Sequence, residues 1–418
     1  MIKVLHINTW DMDGGAARAA YRINLGLRNL GVNSRMVVLN QRESNPAVMR
    51  PLGAYSKVTQ KVKGLSAQIL LDAQHSTNTV THSLNFFTSG LADWINRSDA
   101  NIVNLHWVGG EMISVEEIGR LNKPICWTMH DMWPFSGAEH YDDLHSPGRY
   151  QQGYYANNRP HDYSGLDLDA WVWRRKRKAW ADKTFQLISP SHWLADCAGN
   201  SALFSKQPCR VIHNGIDLKR FHPLDRKQAR SILRLREDRR YVLFGAISST
   251  SDARKGFHLL LPAIRRLAAM PEFAGNTELL IFGANAPVNP VDFGLPVHYM
   301  GHLYDEISLA ILYSAADVFA SPSMQDNLPN TLVEALACGT PCVAFDIGGM
   351  QDLIEHEKTG YLVNAYDIEG LSAGLAQALA DDGDSKREAC RAKAEKSFGE
   401  LVVAEKYLAL YREMLFDQ

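Results

Sequence analysis

Residues 3–31 read KVLHINTWDMDGGAARAAYRINLGLRNLG. The apolar run Lys3–Ile7 predicts a short buried strand, and apolar residues then recur with helical spacing from Ala16 to Leu30. A polar loop that ends in Gly14-Gly15 joins the strand to the helix. Strand, loop and helix in this order are the unit from which parallel sheets with helices on both faces are built.

The same order recurs along the chain, which predicts an α/β protein with two doubly wound domains. The further strands predicted in the first half are Arg35–Leu39, Ile102–Leu105, Ile125–Met129, Phe185–Ser189 and Arg210–His213, with a helix at Ser114–Leu121. Those in the second half are Tyr241–Ala246, Glu278–Phe282, Val297–Met300, Val318–Ala320 and Cys342–Phe345, with helices at Phe257–Met270 and near Tyr304–Ala315.

A turn signal divides the two halves. Asn214-Gly215, within the segment 213–217, favours a linker, so we predict an N-terminal domain over 1–213 and a C-terminal domain over 214–395. A long helical pattern over about Ser385–Leu415 closes the chain, and we assign its end, 396–418, to a separate C-terminal helix.

Composition excludes several classes of protein. The chain has 418 residues, 46% of them apolar and 22% charged, with a formal net charge of −2, so nothing global indicates nucleic-acid or membrane binding. Six cysteines without a CxxC pair predict free thiols in a reducing cytoplasm. The N-terminus becomes polar too early for a signal peptide, and no apolar run approaches the ~20 residues that span a bilayer.

Residues 324–341, MQDNLPNTLVEALACGTP, combine a polar beginning with an apolar body. Asp326 or Asn327 can cap the helix, Pro329 fits its first turn, and Gly339 ends it. Glu334 is the only carboxylate in the apolar body, and a buried carboxylate needs a partner. That partner is either a ligand diol or a structural arginine, unless Glu334 lies on a narrow solvated stripe.

Several ordered motifs resemble retaining glycosyltransferases of family 4. Asp326 and Glu334 have the spacing of that family's E-x7-E element, although its first acid is an aspartate here. The continuation EALACGTPCVAF, the segment VIHNGID at 211–217 and RKGFHLLLPAI at 254–264 are also similar. TMHDMWPFSGAEHY at 128–141 resembles the branch that assembles bacterial polysaccharides.

The resemblance implies a GT-B fold, in which two Rossmann-like domains face a central cleft and the C-terminal helix crosses back to the N-terminal domain. It implies that Glu334 binds the ribose hydroxyls of a nucleotide and that Asp326 faces the donor sugar. The backbone of Asn327, Leu328 and Asn330 would approach the sugar or diphosphate, and the segment around His302 would contact the base.

For the diphosphate, the sequence offers cations and free amide groups at two helix beginnings. Lys255 precedes a helix and follows the hydroxyl-rich loop Ser248–Ser251, where either Arg254 or these hydroxyls would replace an arginine usual in the family. Gly14 and Gly15 lack the spacing of a dinucleotide fingerprint. They form either a tight turn or a close contact with the donor diphosphate, and the resemblance favours the donor.

Three residues of the first half are candidates for the acceptor side and for catalysis. His130 follows a strand end and resembles the family's histidine near the donor sugar, where it orients a hydroxyl or supports developing charge; the alternative is a structural histidine. His106 follows another strand end, and Glu139 lies near His130 in sequence. We expect His106 to line the acceptor pocket and Glu139 to contact acceptor hydroxyls.

Two further motifs remain as alternatives. Asp11-Met12-Asp13 and Asp167-Leu168-Asp169 are DxD strings, but metal-dependent DxD enzymes have another fold, so we expect no metal and no cofactor beyond the nucleotide-sugar. Trp171–Trp180, WVWRRKRKAW, is either an interfacial segment that touches the inner face of the membrane or a surface helix with inward tryptophans.

The sequence thus predicts a retaining, metal-independent glycosyltransferase that transfers a sugar from a UDP- or GDP-sugar to a saccharide acceptor, in some cases lipid-linked. Its expected place is bacterial exopolysaccharide or cell-surface glycan synthesis in the cytoplasm. The alternatives are a nucleotide-sugar epimerase on the same fold and a non-catalytic nucleotide-sugar binding module.

Overall fold

The computed structural model describes residues 1–42, 44–51, 57–144, 148–245, 252–303, 305–381 and 383–416. The chain forms two compact units. The N-terminal unit comprises Met1–Ile212 and Ala404–Gln418, and the C-terminal unit comprises His213–Val403. The chain passes from one unit to the other between residues 212 and 213 and again between residues 403 and 404. The predicted boundaries are at 213/214 and 395/396.

The N-terminal unit alternates strands and helices along the chain. Its strands are β1 (Lys3–Trp10), β2 (Asn33–Asn40), β3 (Val48–Met49), β4 (Gln74–His75), β5 (Ile102–Leu105), β6 (Ile125–Thr128), β7 (Ser164–Gly165), β8 (Gln186–Ser189) and β9 (Cys209–Val211). Its helices are α1 (Gly15–Asn29), α2 (Lys57–Leu71), α3 (Leu91–Arg97), α4 (Val115–Gly119), α5 (Arg149–Gln152), α6 (Leu168–Ala179) and α7 (His192–Gly199).

The C-terminal unit repeats this alternation. Its strands are β10 (Arg240–Gly245), β11 (Thr277–Phe282), β12 (Val297–Gly301), β13 (Val318–Ser321), β14 (Cys342–Phe345) and β15 (Gly360–Val363). The remaining helices are α8 (Arg226–Ile232), α9 (Phe257–Ala269), α10 (Glu306–Ala315), α11 (Asn330–Ala337), α12 (Met350–Leu353), α13 (Ile368–Ala380), α14 (Asp384–Phe398) and α15 (Glu400–Phe416).

Both units contain a parallel sheet with the doubly wound strand order. Within the described residues, the first sheet runs β3-β2-β1-β5-β6-β8-β9 and the second β12-β11-β10-β13-β14-β15. In each unit the first strand lies in the centre of the sheet, and the next strands are added on one side of it. The chain then crosses to the other side, so that β1 is next to β5 in the first sheet and β10 is next to β13 in the second. Ligands of such sheets bind beyond the carboxyl ends of the strands at this point of reversal.

The two faces of the first sheet differ in polarity. Alternate residues of β1, β5 and β6 enter the apolar core, as Ile7, Leu105 and Trp127 do. Several of the alternating residues on the other face are polar and buried; they are His6, Asn8, Asn104 and Thr128, with His106 directly after β5. Because side chains alternate along a strand, these polar residues share one face of the sheet.

The second sheet is apolar on both faces. Leu243, Phe319 and Ala344 enter one core, whereas Phe244, Ala320 and Val343 enter the other. This is the pattern expected for a parallel sheet that helices cover on both sides.

The long helical pattern predicted over about Ser385–Leu415 is divided into two helices, because Gly399 separates α14 from α15. At that point the amide of Ile216 donates to the carbonyl of Phe398 at 2.8 Å, and the amide of Glu400 donates to the carbonyl of Ile216 at 3.0 Å. The backbone of Ile216 thus supplies, at the break, the hydrogen-bond partners that a continuous helix would supply from its own turns.

The predicted return of the C-terminal helix to the N-terminal unit is confirmed. In α15, the hydroxyl of Tyr411 accepts from Asn104 at 2.8 Å, and the hydroxyl of Tyr407 lies 3.1 Å from that of Thr128. These tyrosines therefore satisfy part of the polar face of the first sheet.

Candidate active site

In the C-terminal unit, two residues of the predicted donor site, Lys255 and Asp326, lie on loops beyond β10 and β13. These strands are neighbours in the sheet at the point where the strand order reverses. Lys255 precedes α9 after β10, and Asp326 lies between β13 and α11. Their side chains meet, with Lys255 Nζ 2.6 Å from Asp326 Oδ2. The exposed fractions of the two side chains are 23% and 12%, so the pair is accessible from solvent.

Arg254 has a more local contact. Its guanidinium donates to Asp252 at 2.9 Å, within the turn that begins α9. The carboxylate of Asp252 also accepts the amide of Arg254 at 3.0 Å. The predicted hydroxyl loop Ser248–Ser251 lies outside the described residues.

Close approach of backbone holds three loops together around Asp326. Gly256 has φ +69°, and a Cβ there would lie 1.8 Å from the carbonyl oxygen of Pro322. Gly348 has φ +53°, and a Cβ there would lie 2.1 Å from the carbonyl oxygen of Asp326. The amide of Gly349 donates to that same oxygen at 3.2 Å. Glycine is therefore required at both positions by conformation and by space.

The predicted capping of α11 by Asp326 or Asn327 is wrong. The helix begins at Asn330, and Pro329 is the N-cap residue with φ −64°. No side chain of the described residues caps it, and the carboxylate of Asp326 bonds Lys255 instead. Asn327 and Leu328 are buried beside this beginning. Gly339, with φ +73°, follows the end of α11 as predicted.

Glu334 is buried and its carboxylate has a protein partner. The hydroxyl of Tyr313 on α10 donates to Glu334 Oε2 at 3.1 Å. Burial, together with the charge of Glu334, raises the pKa of Tyr313 well above its usual value. The need for a partner is therefore confirmed, and a tyrosine meets it rather than an arginine.

One turn earlier, Asn330 Oδ1 accepts from Asn214 at 3.4 Å. His302 is exposed after β12.

In the N-terminal unit, the loop after β1 places Gly14 at the N-cap position of α1. Its φ of +87° and ψ of 169° suit glycine, although a Cβ there would meet no atom within 4 Å. The preceding Asp11 is buried and accepts the amides of Met12 at 2.9 Å and Arg42 at 2.8 Å. The turn is thus fixed by conformation and not by crowding.

Three histidines, in β1 and in the residues after β5 and β6, form a hydrogen-bonded row. His6 Nδ1 lies 2.9 Å from His106 Nε2, and His106 Nδ1 lies 3.0 Å from His130 Nε2. His6 is 0% exposed and His106 is 2% exposed, whereas His130 is partly exposed. Burial lowers the pKa of His6 to about 3 and that of His130 to about 4.

The predicted contact of His106 with an acceptor is wrong, because both of its ring nitrogens bond the other histidines. Sequence reasoning had missed His6. The signal was present in the strand itself, where a histidine and an asparagine alternate with apolar residues in the order Leu5, His6, Ile7, Asn8.

A second network immobilises the segment after β6. His140 Nδ1 lies 2.6 Å from Asp131 Oδ2, and His140 Nε2 lies 2.8 Å from Ser83 Oγ. The indole of Trp107 stacks on the His140 ring with centroids 5.0 Å apart. All three members of this Ser–His–Asp row are buried, so its hydroxyl is enclosed and the row serves to hold the loop.

Glu139 is also enclosed, which corrects its predicted role in contacting the acceptor. Its carboxyl group accepts a hydrogen bond from the Tyr154 hydroxyl, and only 4% of the residue is exposed. Burial, and next the nearby charge of Asp169, raise the pKa of Glu139 to about 8. Asp169 is buried in the same cluster.

The segment Trp171–Trp180 does not present an apolar face to a membrane. Trp173 and Trp180 are buried in the core of the unit. Lys176 is 0% exposed; its Nζ donates to the carbonyls of Trp133, Ser136 and Gly137 and lies 3.8 Å from the centre of the Trp133 ring. The alternative prediction, a surface helix whose tryptophans point inward, is therefore confirmed for Trp173 and Trp180. Lys176 is the exception among the basic residues, because it is buried with them.

No helix in the described parts of the chain is long and apolar enough to cross a bilayer.

The DxD carboxylates bond protein groups in this structure. Asp13 lies 3.0 Å from Arg42, and Asp167 caps α6 and lies 2.8 Å from Arg149. Among the described residues, no group of three or more His, Cys, Asp or Glu side chains is arranged to hold a metal ion. The predicted free thiols are confirmed, since all six cysteines are described and none is in a disulfide.

Two family models match the chain. The model described as Glycosyltransferase Family 4 matches residues 13–220, and the one described as Glycosyl transferases group 1 matches residues 239–381. Together they span most of both units.

Curated relatives match parts of the chain. The D-inositol 3-phosphate glycosyltransferase of Kribbella flavida is 28% identical over 50% of this chain and 52% of its own length. The alpha-maltose-1-phosphate synthase of Mycolicibacterium smegmatis is 28% identical over 60% of this chain and 67% of its own length. The chain thus spans about half the length of the first of these relatives.

Solved structures match over the whole chain. Sucrose-phosphate synthase from Thermosynechococcus elongatus superposes with a TM-score of 0.69 at 18% identity, with 100% of both chains covered. Anabaena HepE, solved with UDP and glucose, gives a TM-score of 0.62 at 14% identity over 98% of this chain and 99% of its own. At these identities the likeness establishes the GT-B fold.

Proposed function

Because this chain belongs to the group 1 glycosyltransferases of family 4, we propose that it is a retaining glycosyltransferase that moves a sugar from a nucleotide-diphosphate sugar to a saccharide acceptor. The observation that carries the proposal is the meeting of Lys255 and Asp326 beyond β10 and β13. A cation, a carboxylate and closely packed backbone there surround the position where a doubly wound sheet receives its ligand.

For the donor, we assign the diphosphate to Lys255. On binding, Lys255 Nζ exchanges the carboxylate of Asp326 for phosphate oxygens, which frees Asp326 to accept from a sugar hydroxyl. Arg254 contributes less, because Asp252 holds its guanidinium at 2.9 Å. The beginning of α11, where Asn327, Leu328 and Asn330 lie, supplies backbone amides to the same ligand.

Glu334 is assigned to the ribose diol. Tyr313 bonds Oε2 of its carboxylate at 3.1 Å and so fixes the orientation of the group. A carboxylate has about four lone-pair sites, so such a group can accept from more than one hydroxyl at the same time. HepE was solved with UDP and glucose, so UDP is the first nucleotide to test, with the exposed His302 close to the expected base.

The chemistry proposed is a substitution on one face of the donor sugar. The bond between the acceptor oxygen and the anomeric carbon forms while the bond from that carbon to the diphosphate oxygen breaks. The leaving oxygen takes the acceptor proton. Lys255 stabilises the charge that develops on the diphosphate, and we propose that no metal ion or further cofactor takes part.

In the N-terminal unit, His130 is the residue we assign to catalysis, as a hydrogen-bonding group for the donor sugar. Gly14 and Gly15 are assigned to close approach of the same donor. The acceptor is proposed to be a saccharide of a bacterial cell-surface or exported polysaccharide, and the place of the reaction to be the cytoplasm. Because Trp173 and Trp180 are buried in the core, they do not supply an apolar contact for a membrane.

Thermal unfolding in the presence of UDP, GDP and ADP, and of their common sugars, tests this function. We expect one nucleotide family to raise the melting temperature, and expect Glu334→Gln to reduce that effect.

Slow release of free sugar from the donor would then support transfer chemistry. Release of an epimer without an acceptor would indicate an epimerase, and binding without any turnover would indicate a binding module. Equal nucleotide affinity of Glu334→Gln and the parent would remove Glu334 from the site.

A further inference from the structure

The histidine row of the N-terminal unit limits where its protons can lie. A hydrogen bond between two imidazole rings needs one protonated and one bare nitrogen. His106 bonds His6 through Nε2 and His130 through Nδ1. A neutral His106 has one ring proton, so it donates in one of these bonds and accepts in the other. The two bonds therefore point in the same direction along the row.

Two arrangements satisfy this condition. In the first, His6 Nδ1 donates to His106, His106 Nδ1 donates to His130, and His130 carries its own proton on Nδ1. In the second, every donor is reversed, so His130 donates through Nε2 and its Nδ1 is bare. The arrangement thus decides whether the outer nitrogen of His130 is a donor or an acceptor.

The inner end of the row distinguishes the two arrangements. His6 Nε2 is buried and has no hydrogen-bond partner among the described residues. The first arrangement leaves a bare lone pair at this atom, whereas the second leaves a buried N–H without an acceptor. Among backbone groups, buried orphan N–H groups are rarer in proteins than under-satisfied acceptors. We extend this preference to the imidazole ring and infer that the first arrangement has the lower free energy.

The three rings also stay neutral, as the argument requires. Burial holds the pKa of His6 at about 3 and that of His130 at about 4. It also lowers the pKa of His106 well below the usual value, and the neighbouring His6 and His130 lower it further. The charge of Asp131 acts on the pKa of His130 in the opposite direction without reversing the shift.

We propose that His6 and His106 are positioning residues that fix the tautomer of His130, so that His130 carries its ring proton on Nδ1. His130 then offers an N–H to a sugar hydroxyl or to an oxygen that gains negative charge. Only this catalytic consequence rests on the proposed glycosyl transfer; the tautomer itself is a property of the folded protein.

Nitrogen-15 NMR of protein labelled at histidine measures the tautomer directly. At neutral pH we expect His130 to show a protonated Nδ1 and a bare Nε2, with assignment by a His130→Gln variant. The opposite pattern at His130, or rapid averaging between the two forms, would overturn the proposal. The measurement needs no substrate, so it is independent of whether the protein transfers sugars.

Two isosteric substitutions at the inner end sharpen the test. Asparagine and aspartate both place a terminal atom near the position of His6 Nδ1. Asparagine can donate to His106 Nε2, so His6→Asn should keep the parent tautomer at His130. An ionised aspartate can only accept, so His6→Asp should draw the proton of His106 to Nε2 and reverse the tautomer of His130.

Kinetics provide the second measurement. In His6→Asp, we expect kcat to fall by about tenfold or more, with the donor KM changed by less than about threefold, because a hydrogen-bond donor is lost near the reacting sugar. His6→Asn should stay within about threefold of the parent in kcat. Equal losses of activity in the two variants, with an unchanged His130 tautomer, would show a purely structural role. If His6→Asp does not fold, the parent spectrum and the His6→Asn variant still decide the question.

Absence of transfer with every donor, together with the Nδ1 tautomer at His130, would refute the proposed function and leave the inference about the row intact.

Discussion

The two sheets have the same order of strands but place their polar groups differently. In the N-terminal unit, the polar side chains belong to the strands themselves, where His6 pairs in register with Asn104 between β1 and β5. In the C-terminal unit, the strands are apolar on both faces, and the polar groups such as Lys255 and Asp326 lie on loops.

This difference determines what fixes each group. Sheet register holds His6, while His106 and His130 follow the ends of β5 and β6, and a sheet buried on both sides resists local change. Loops hold Lys255 and Asp326, and their positions depend on close backbone contacts at glycines. A group that must exchange one partner for a ligand is suited to a loop, whereas a group that must keep one tautomer is suited to a strand.

The largest effect is expected at the loop cation. Lys255→Met removes the charge proposed to stabilise the leaving diphosphate, so kcat should fall by about 100- to 1,000-fold, the range seen when one such stabilising group is lost. The measurement is donor turnover with and without acceptor.

The matched control is Lys358→Met. Lys358 is an exposed lysine of the same unit, paired with Glu355 at 2.7 Å. We expect its turnover to equal that of the parent. A similar loss in both variants would show that general positive charge, and not the position of Lys255, is responsible.

A buried lysine of the N-terminal unit gives the next effect. Lys176→Met leaves the carbonyls of Trp133, Ser136 and Gly137 without their donor, so we expect a loss of about 2–4 kcal/mol in the free energy of unfolding. All nine tryptophans lie at or before residue 193, so tryptophan fluorescence during urea unfolding reports on this unit alone. Lys178→Met, on the exposed side of α6, should change stability by less than about 0.5 kcal/mol. Equal effects would contradict the buried role.

Parts of the fold and site could be predicted because their signals are local. The apolar runs gave Ile102–Leu105 and Cys342–Phe345 with the observed bounds. Gly339 could be predicted as the residue after α11, since only its own conformation is involved.

Other parts depend on contacts between distant segments. Lys255 and Asp326 were each singled out, but their pairing across 71 positions follows from the strand order. The break at Gly399 arises from the insertion of the chain at Ile216, which no helical period encodes. The enclosure of Glu139 likewise depends on Tyr154 and Asp169, because burial of a polar residue is decided by its neighbours in space.

Glycine substitutions compare the two ways of fixing a loop. Gly348→Ala combines a positive φ with a contact of 2.1 Å to the carbonyl of Asp326, so we expect the C-terminal unit to lose about 2–3 kcal/mol. Gly14→Ala meets open space and should cost the N-terminal unit only about 1–2 kcal/mol of conformational strain. Far-UV circular dichroism follows both units, and tryptophan fluorescence isolates the second variant. A larger loss for Gly14→Ala would mean that crowding does not govern these loops.

A pH dependence of stability is expected within the N-terminal unit, at Glu139. Its pKa rises from an ordinary 4.5 to about 8 on folding, through burial and then the charge of Asp169. The folded protein therefore binds the proton more tightly than the unfolded chain. The stability from this group is complete below about pH 4.5 and is lost as the pH rises towards 8, by up to about 1.4 kcal/mol per pH unit.

Glu139→Gln keeps the size of the side chain and removes the titration. The free energy of unfolding of the variant, relative to the parent, should therefore increase as the pH rises from 5 to 8, when both are followed by tryptophan fluorescence in urea. The lowered pKa values of His6 and His130 act in the opposite direction, but they are common to both proteins and cancel in this difference. Glu405→Gln, at an exposed position of the same unit, should give a difference that does not vary with pH. If the difference in free energy of unfolding between Glu139→Gln and the parent also does not vary with pH, Glu139 ionises in the folded protein at little cost. Water would then reach the Glu139 cluster, and the buried polar groups of this unit would be better solvated than their burial indicates.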